Sequence, residues 1–167
     1  TDSQSISVTV SPINDIPIAT TGLTATTSED QTIVITLSGS DADGDILTFD
    51  LIEPYPENGS VALDGNLATY TPNENFNGDD SFSFTVSDDD STSDSATVAI
   101  SVSSVNDAPT LEVSDVSFDE DTSLTTDLSA DDVDGDTLIF DIIGGNNNII
   151  YIHNQEDESI TFTPIEN

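Results

Sequence analysis

The chain has 167 residues, of which 34 are Asp or Glu and none is Lys or Arg, for a formal charge of −34 at neutral pH. A surface without a fixed cation cannot neutralise phosphate, so direct binding to nucleic acid or lipid headgroups is excluded unless a cation bridges the partners. Cysteine is absent, which removes disulfides, thiolate metal sites and thiol nucleophiles together, and no apolar run approaches the roughly 20 residues of a membrane-spanning helix.

Asp outnumbers Glu by 25 to 9, and the shorter carboxylate suits turns and hard-cation loops better than helices. The hydrophobic fraction is 34%, but its Val, Ile, Leu and Phe fall in alternating runs, which argues for a folded β protein against disorder. The N-terminus carries neither the basic region nor the apolar core of a signal peptide, so the sequence reads as an internal piece of a longer chain.

In chain order, the first alternating run is 5–10, with Ile6, Val8 and Val10 in step. Seven further short strands follow. The first covers 23–27. The second, 31–38, turns Ile33, Ile35 and Leu37 inward and Thr32 and Thr36 outward. The third, 46–52, places Leu47, Phe49 and Leu51 on one face. After 60–63 and 67–70 come 81–86, with Phe82, Phe84 and Val86, and 96–102, with Val98, Ile100 and Val102. Turn signals at Asp43-Gly44, Asn58-Gly59, Asp64-Gly65 and Asn77-Gly78 separate them. The predicted class is all-β, a seven-stranded antiparallel β-sandwich near immunoglobulin size. Tyr55, between Pro54 and Pro56, is expected to be exposed, and His153 to be a surface strand residue with no nucleophile beside it.

The pattern repeats. Ile13-Asn14-Asp15-Ile16-Pro17 recurs as Val105-Asn106-Asp107-Ala108-Pro109, and Glu29-Asp30 recurs as Glu120-Asp121. Asp41-Ala42-Asp43-Gly44-Asp45 recurs as Asp132-Val133-Asp134-Gly135-Asp136, and Tyr70-Thr71-Pro72 as Phe162-Thr163-Pro164. Ordered matches at a shift of about 92 positions make the unit a tandem repeat. Its phase divides the chain into the last strand and linker of a preceding repeat (1–17), a complete repeat with its linker (18–109) and an incomplete second repeat (110–167), which stops at Glu166-Asn167, the counterparts of Glu74-Asn75.

Strands that alternate in direction sort the turns to two ends. Asp41, Asp43 and Asp45 lie between the second and third strands at the leading end. Glu29 and Asp30, between the first and second, lie at the trailing end with Asp79, Asp80 and the outgoing linker Asn106-Asp107. The next repeat presents Asp132, Asp134 and Asp136 at its own leading end, so several carboxylates are expected at each joint. Each pair would repel by roughly 1 kcal/mol at 4 Å even in water. Divalent cations would relieve this, and Ca2+, with six to eight flexible oxygen ligands, suits the donor set better than Mg2+. The spacing is not an EF-hand, because counting from Asp41 puts Ile46 where a Gly and Ile52 where a Glu would be needed.

These motifs, an Asn-Asp-x-Pro linker, Glu-Asp, Asp-x-Asp-Gly-Asp and Tyr-Thr-Pro-x-x-Asn-Phe-x-Gly before Asp-Ser-Phe, resemble the bacterial cadherin-like tandem repeats of large calcium-dependent surface adhesins. The resemblance implies tandem immunoglobulin/cadherin-like sandwiches with calcium ligands at Glu29, Asn106, Asp107, Asp132 and Asp134, joined by Asp79 or Asp80. For the preceding joint it implies Asn14, Asp15, Asp41, Asp43 and Asp88, and by repetition Glu120 and Asp121 would serve the following one. Asp30, Asp45 and Asp136 extend these sets. It further implies a non-enzymatic, extracellular extender on a bacterial surface that projects a distal binding domain for cell or biofilm adhesion, with neighbouring repeats as its first partners. Two other functions fit the same residues: a calcium-dependent carbohydrate-binding module, directed at cell-surface or matrix polysaccharide, and a subunit that self-associates by strand donation.

Overall fold

The structure is a computed structural model that describes residues 4–141, the backbone of 149–154 and residues 159–165. The side chain of His153 and the terminal pair Glu166-Asn167 therefore lie outside the described residues. No helix occurs among those described, and the chain divides into two compact units, 1–105 and 106–167.

In the first unit the chain runs through β1 (Ile18–Ala19), β2 (Leu23–Ser28), β3 (Ile33–Thr36), β4 (Gly39–Ser40), β5 (Thr48–Ile52), β6 (Gly59–Asp64), β7 (Leu67–Pro72), β8 (Gly78–Ser87) and β9 (Ala96–Ser103). One sheet has the order β2-β9-β8-β5 and the other β3-β7-β6, while β1 and β4 form a short ladder of their own. Each of the seven predicted strands of the repeat is present. Burial along β9 alternates without exception, with Val98, Ile100 and Val102 inside and Thr97, Ala99 and Ser101 outside. Tyr70, Phe82, Phe84, Val86, Leu37 and Val98 are fully enclosed and form the centre of the core. The ring of Phe49 on β5 lies 6.4 Å from that of Phe84. Tyr55 is exposed.

One ladder departs from the antiparallel expectation. β2 pairs with β9 in parallel, from Leu23 opposite Val98 to Ser28 opposite Ser103. Seven strands that alternate in direction leave the first and last running the same way, so neighbours of that kind can only pair in parallel.

The expected strand over 5–10 is not formed. Ile6, Val8 and Val10 are exposed by 88%, 81% and 87%, and no described residue pairs with the segment. An isolated strand cannot satisfy its backbone groups within itself, so an alternating pattern without a partner ladder stays open chain.

The second unit contains β10 (Thr110–Glu112), β11 (Leu124–Asp127), β12 (Ser129–Asp131), β13 (Ile149–Asn154) and β14 (Ser159–Pro164). The sheet β11-β14-β13 and the pair β10-β12 reproduce β3-β7-β6 and β1-β4. Residues 114–118 and 137–141, at the positions of β2 and β5, form no strand. In the first unit β2 and β5 pair with β9 and β8. The inner face of this sheet carries the buried Ile160 and Phe162, whose ring lies 6.3 Å from that of Phe118 in the segment before β11. Beside them lies a groove of about 430 Å³, with Leu111, Val113, Val116, Leu128 and Phe140 also in its wall.

Candidate metal centre

The turn between β4 and β5 is built around one carboxylate oxygen. Asp41 Oδ1 accepts hydrogen bonds from the backbone N–H groups of Asp43 (2.8 Å), Gly44 (3.0 Å) and Asp45 (3.3 Å). Gly44 sits at φ +81°, a left-handed conformation that a side chain would strain. The turn draws the carboxylates of Asp41, Asp43 and Asp45 together, so that one oxygen from each lies within 4.8 Å of the others. Asp41 Oδ2, the oxygen the turn does not use, is buried and accepts no hydrogen bond.

The linker that leads into the sandwich is tied to this turn. The Asp15 N–H donates to Asp43 Oδ2 at 2.8 Å. The Asn14 amide donates to Asp88 Oδ2 (3.2 Å) and Ser91 Oγ (3.3 Å) in the loop between β8 and β9. Asp88 Oδ1 in turn accepts the N–H groups of Asp90 (2.8 Å) and Ser91 (2.6 Å). Three segments distant in sequence thus meet at one end of the sandwich, bringing together Asn14, Asp15, Asp41, Asp43, Asp45 and Asp88.

Two pKa displacements follow from this crowding. Asp45 is raised above the ordinary aspartate value, first by partial desolvation and then by the negative charges of Asp41, Asp43, Asp88 and Asp89. Asp88 is lowered: desolvation pushes it up, but hydrogen bonds from the Asp90 N–H, the Asn14 amide and Ser91 outweigh it. No Lys or Arg exists in the sequence to neutralise the group. An all-oxygen donor set with an orphaned buried carboxylate oxygen fits a hard divalent cation and does not suit a soft metal.

The second unit repeats the arrangement. Asp132 Oδ1 accepts from Asp134 N (3.0 Å) and Asp136 N (3.2 Å), and the Asp107 N–H donates to Asp134 Oδ2 (2.6 Å). The Asn106 amide donates to the Asp107 carbonyl at 2.8 Å, as Asn14 does to Asp15 at 3.1 Å.

Glu29 is buried at the end of β2, where its Oε1 accepts the Val105 N–H. Asp30, at φ +59°, occupies the left-handed turn position that Asp tolerates, and its Oδ1 accepts the Asn75 N–H at 3.1 Å. Asp79 is exposed on β8 opposite Ser101. Asp80 serves the fold: its oxygens accept the backbone N–H groups of Glu57 (3.1 Å), Asn58 (3.0 Å) and Ser81 (2.8 Å) and the hydroxyl of Tyr70 (2.9 Å). Glu120 and Asp121 are exposed in the turn before β11, with Asp121 at φ +65°, the counterpart of Asp30. Sequence reasoning passed over Ser91, whose hydroxyl reaches both oxygens of Asp88; its position three residues after Asp88 is the signal, because such a spacing suits a local side-chain turn.

Two facing sheets fed by a linker that meets a carboxylate cluster define an immunoglobulin-like β-sandwich repeat. Residues 14–101 match the bacterial Ig domain family, and the chain belongs to that family. Among solved structures, the human protocadherin-24 EC1-2 fragment, form II, is similar at a TM-score of 0.51 and 15% identity, over 91% of this chain and 80% of that one. The extracellular cadherin domains 1–5 of protocadherin gamma B2 are similar at a TM-score of 0.50 and 16% identity, over 91% of this chain and 33% of that one. A nucleoside hydrolase-related protein from Saccharophagus degradans matches at a TM-score of 0.42 and 21% identity, over 53% of this chain, and the match spans 26% of its own length. These are likenesses of fold. No curated protein matches the sequence.

Proposed function

We propose that this chain is a calcium-stiffened extender segment of a bacterial cell-surface adhesin, working outside the cell through its length and rigidity and not through catalysis. The observation that carries the reading is Asp41 Oδ2, a carboxylate oxygen buried without a donor among carboxylates and with no positive side chain in the sequence. Leaving such an oxygen unsatisfied costs about 1–3 kcal/mol. In the first unit Asn14, Asp15, Asp41, Asp43, Asp45 and Asp88 would hold the ion; in the second, Asn106, Asp107, Asp132, Asp134 and Asp136. A bound Ca2+ would supply the positive charge that the sequence lacks.

Stiffness follows from which segments the site ties together. Asn14 and Asp15 belong to the linker, while Asp41, Asp43, Asp45 and Asp88 belong to sandwich loops. Charge repulsion opposes the hydrogen bonds between them, and removing it fixes the direction in which the linker meets the sandwich. A row of such repeats would project a distal binding domain, with neighbouring repeats as the first partners and cell or biofilm adhesion as the outcome.

Thermal unfolding at fixed ionic strength, titrated with Ca2+ from chelator to about 10 mM with Mg2+ as control, tests the reading over the affinities of extracellular modules, about 10⁻⁴–10⁻³ M. The expected result is a calcium-selective stabilisation of about 1.5–3 kcal/mol per site at the top of that range. A melting temperature indifferent to Ca2+ overturns it.

A further inference from the structure

The side of the first sandwich bounded by β5 and β6 is open. β5 ends the sheet β2-β9-β8-β5 and β6 ends the sheet β3-β7-β6, so among the described residues no strand pairs with the outer edge of either. Such an edge presents a row of backbone N–H and C=O groups to any strand that can approach it. Between the two edges runs a groove of about 590 Å³, walled by Leu47 and Phe49 on one side and Leu63 on the other, with Asp50 at its rim. Phe49, Leu51, Val61 and Leu63 pack against the core yet are only partly buried, whereas Val98, Ile100 and Val102 on the central strand β9 are closed off. Charge decides what can lie there. Asp50 is exposed and is the middle residue of β5. A second copy pairing antiparallel and in register with the same edge would set Asp50 against Asp50, and like charges directly opposite destabilise a ladder. A cation at that position is attracted instead.

We propose that the free edge of β5 takes up an extended, cationic segment of another protein as an added strand. Laid antiparallel to β5, the segment sets a Lys or Arg opposite Asp50 and an apolar residue opposite each of Phe49 and Leu51. The period of two turns the apolar pair into the groove and the cation outward, on the face that carries Asp50. The pattern recognised is therefore apolar, cationic, apolar at three successive positions. These 167 residues hold no Lys or Arg, so a further copy of them cannot supply the cation. The backbone ladder gives the contact its affinity, and Asp50 selects the partner: it repels an identical edge and accepts a positive one. The charge of −34 draws a basic segment toward the surface before the ladder forms.

Fluorescence anisotropy of two labelled, capped heptapeptides titrated with the 167-residue chain provides the test, in chelator and in Ca2+ alike. One probe alternates Lys and Val. The other is the same peptide with every backbone nitrogen methylated, which keeps the side chains and the charge but donates nothing to a ladder. An ionic strength of about 0.15 M screens the attraction between exposed charges beyond roughly 8 Å. The expected result is saturable binding of the first probe, at least about tenfold tighter than that of the second. Asp50→Lys, at an exposed position opposite Thr85, should melt with the parent and bind the first probe at least about tenfold more weakly. Amide hydrogen exchange within β5 should slow at least about tenfold when that probe is bound. Equal affinity for the two probes overturns the proposal, since it leaves only bulk attraction of charge, and this comparison needs no variant. Binding indifferent to Asp50→Lys, or slowed exchange confined to residues outside β5, overturns it as well.

Discussion

The hydroxyl of Tyr70 donates to Asp80 Oδ2 across 2.9 Å, and the same carboxylate gathers the backbone N–H groups of Glu57 and Asn58. Burial first, and then the neighbouring Asp80, raise the Tyr70 pKa, so the phenol stays a neutral donor at all ordinary pH. Tyr70→Phe removes one charge-assisted hydrogen bond from the fully enclosed ring and should cost about 1.5–3 kcal/mol. The urea midpoint should fall with an unchanged slope, while the response to Ca2+ stays that of the parent.

Two glycines should lose stability for different reasons. A Cβ on Gly59 would lie 2.6 Å from Tyr70 Cε2 and 2.7 Å from the Thr71 carbonyl oxygen, so Gly59→Ala should destabilise by about 1–3 kcal/mol through overpacking. A Cβ on Gly44 meets nothing within 4 Å, but φ is +81°. Gly44→Ala should cost about 1–2 kcal/mol of backbone strain and weaken the calcium response by distorting the turn around Asp41. Melts in chelator and in Ca2+ separate the two effects.

At the cluster, sign distinguishes ligand from scaffold. Asp41→Asn should abolish most of the calcium-induced rise in melting temperature in the first unit. Asp45→Asn should raise the melting temperature in chelator, because it removes a carboxylate crowded by Asp41, Asp43 and Asp88, yet reduce the gain on adding Ca2+. A fall in chelator would show that Asp45 contributes through something other than repulsion.

The pH dependence follows from Asp88, whose folded-state pKa is lowered. A lowered carboxylate adds stability that is present above its unfolded value, about 3.9, and disappears as pH falls through the folded value. In chelator, Asp88→Asn should therefore be less stable than the parent at neutral pH, and the gap should close below about pH 3.9. Asp45, shifted upward, has the opposite sign: its charge opposes folding, and the penalty is relieved on acidification through its raised value. Melts of both variants between neutral and acid pH check the two signs together.

Strands that bury one face were readable from the residues, since Val98, Ile100 and Val102 can alternate inward only in an extended chain. The strands β1 and β4, two residues each, carry no period to read, and their pairing depends on closure of the whole sandwich. Asp79 and Asp80 look alike in sequence, yet the register of β8 puts Asp79 opposite Ser101 and Asp80 opposite Ile100. Asp80 shares the even-numbered parity of Phe82 and Phe84, so its inward role was available to a stricter use of the alternation. The meeting of Asn14, Asp41, Asp43 and Asp88 came from the family resemblance; no local pattern places a residue at 88 beside one at 14. Strand 5–10 was legible in pattern but not in outcome, because a period of two specifies a face to bury and not the presence of something to bury it against.

The parallel ladder between β2 and β9 has a mechanical consequence. Tension on the chain meets the two-residue ladder of β1 and β4 first, then the N-terminal end of β2, and leaves through the C-terminal end of β9, and in parallel neighbours these last two ends lie at opposite extremes of the ladder. A pull therefore slides one strand lengthwise along the other, loading the backbone bonds of all six register pairs from Leu23–Val98 to Ser28–Ser103 at once. An antiparallel pair held at one end would open bond by bond. Under load this domain resists shear and not peeling.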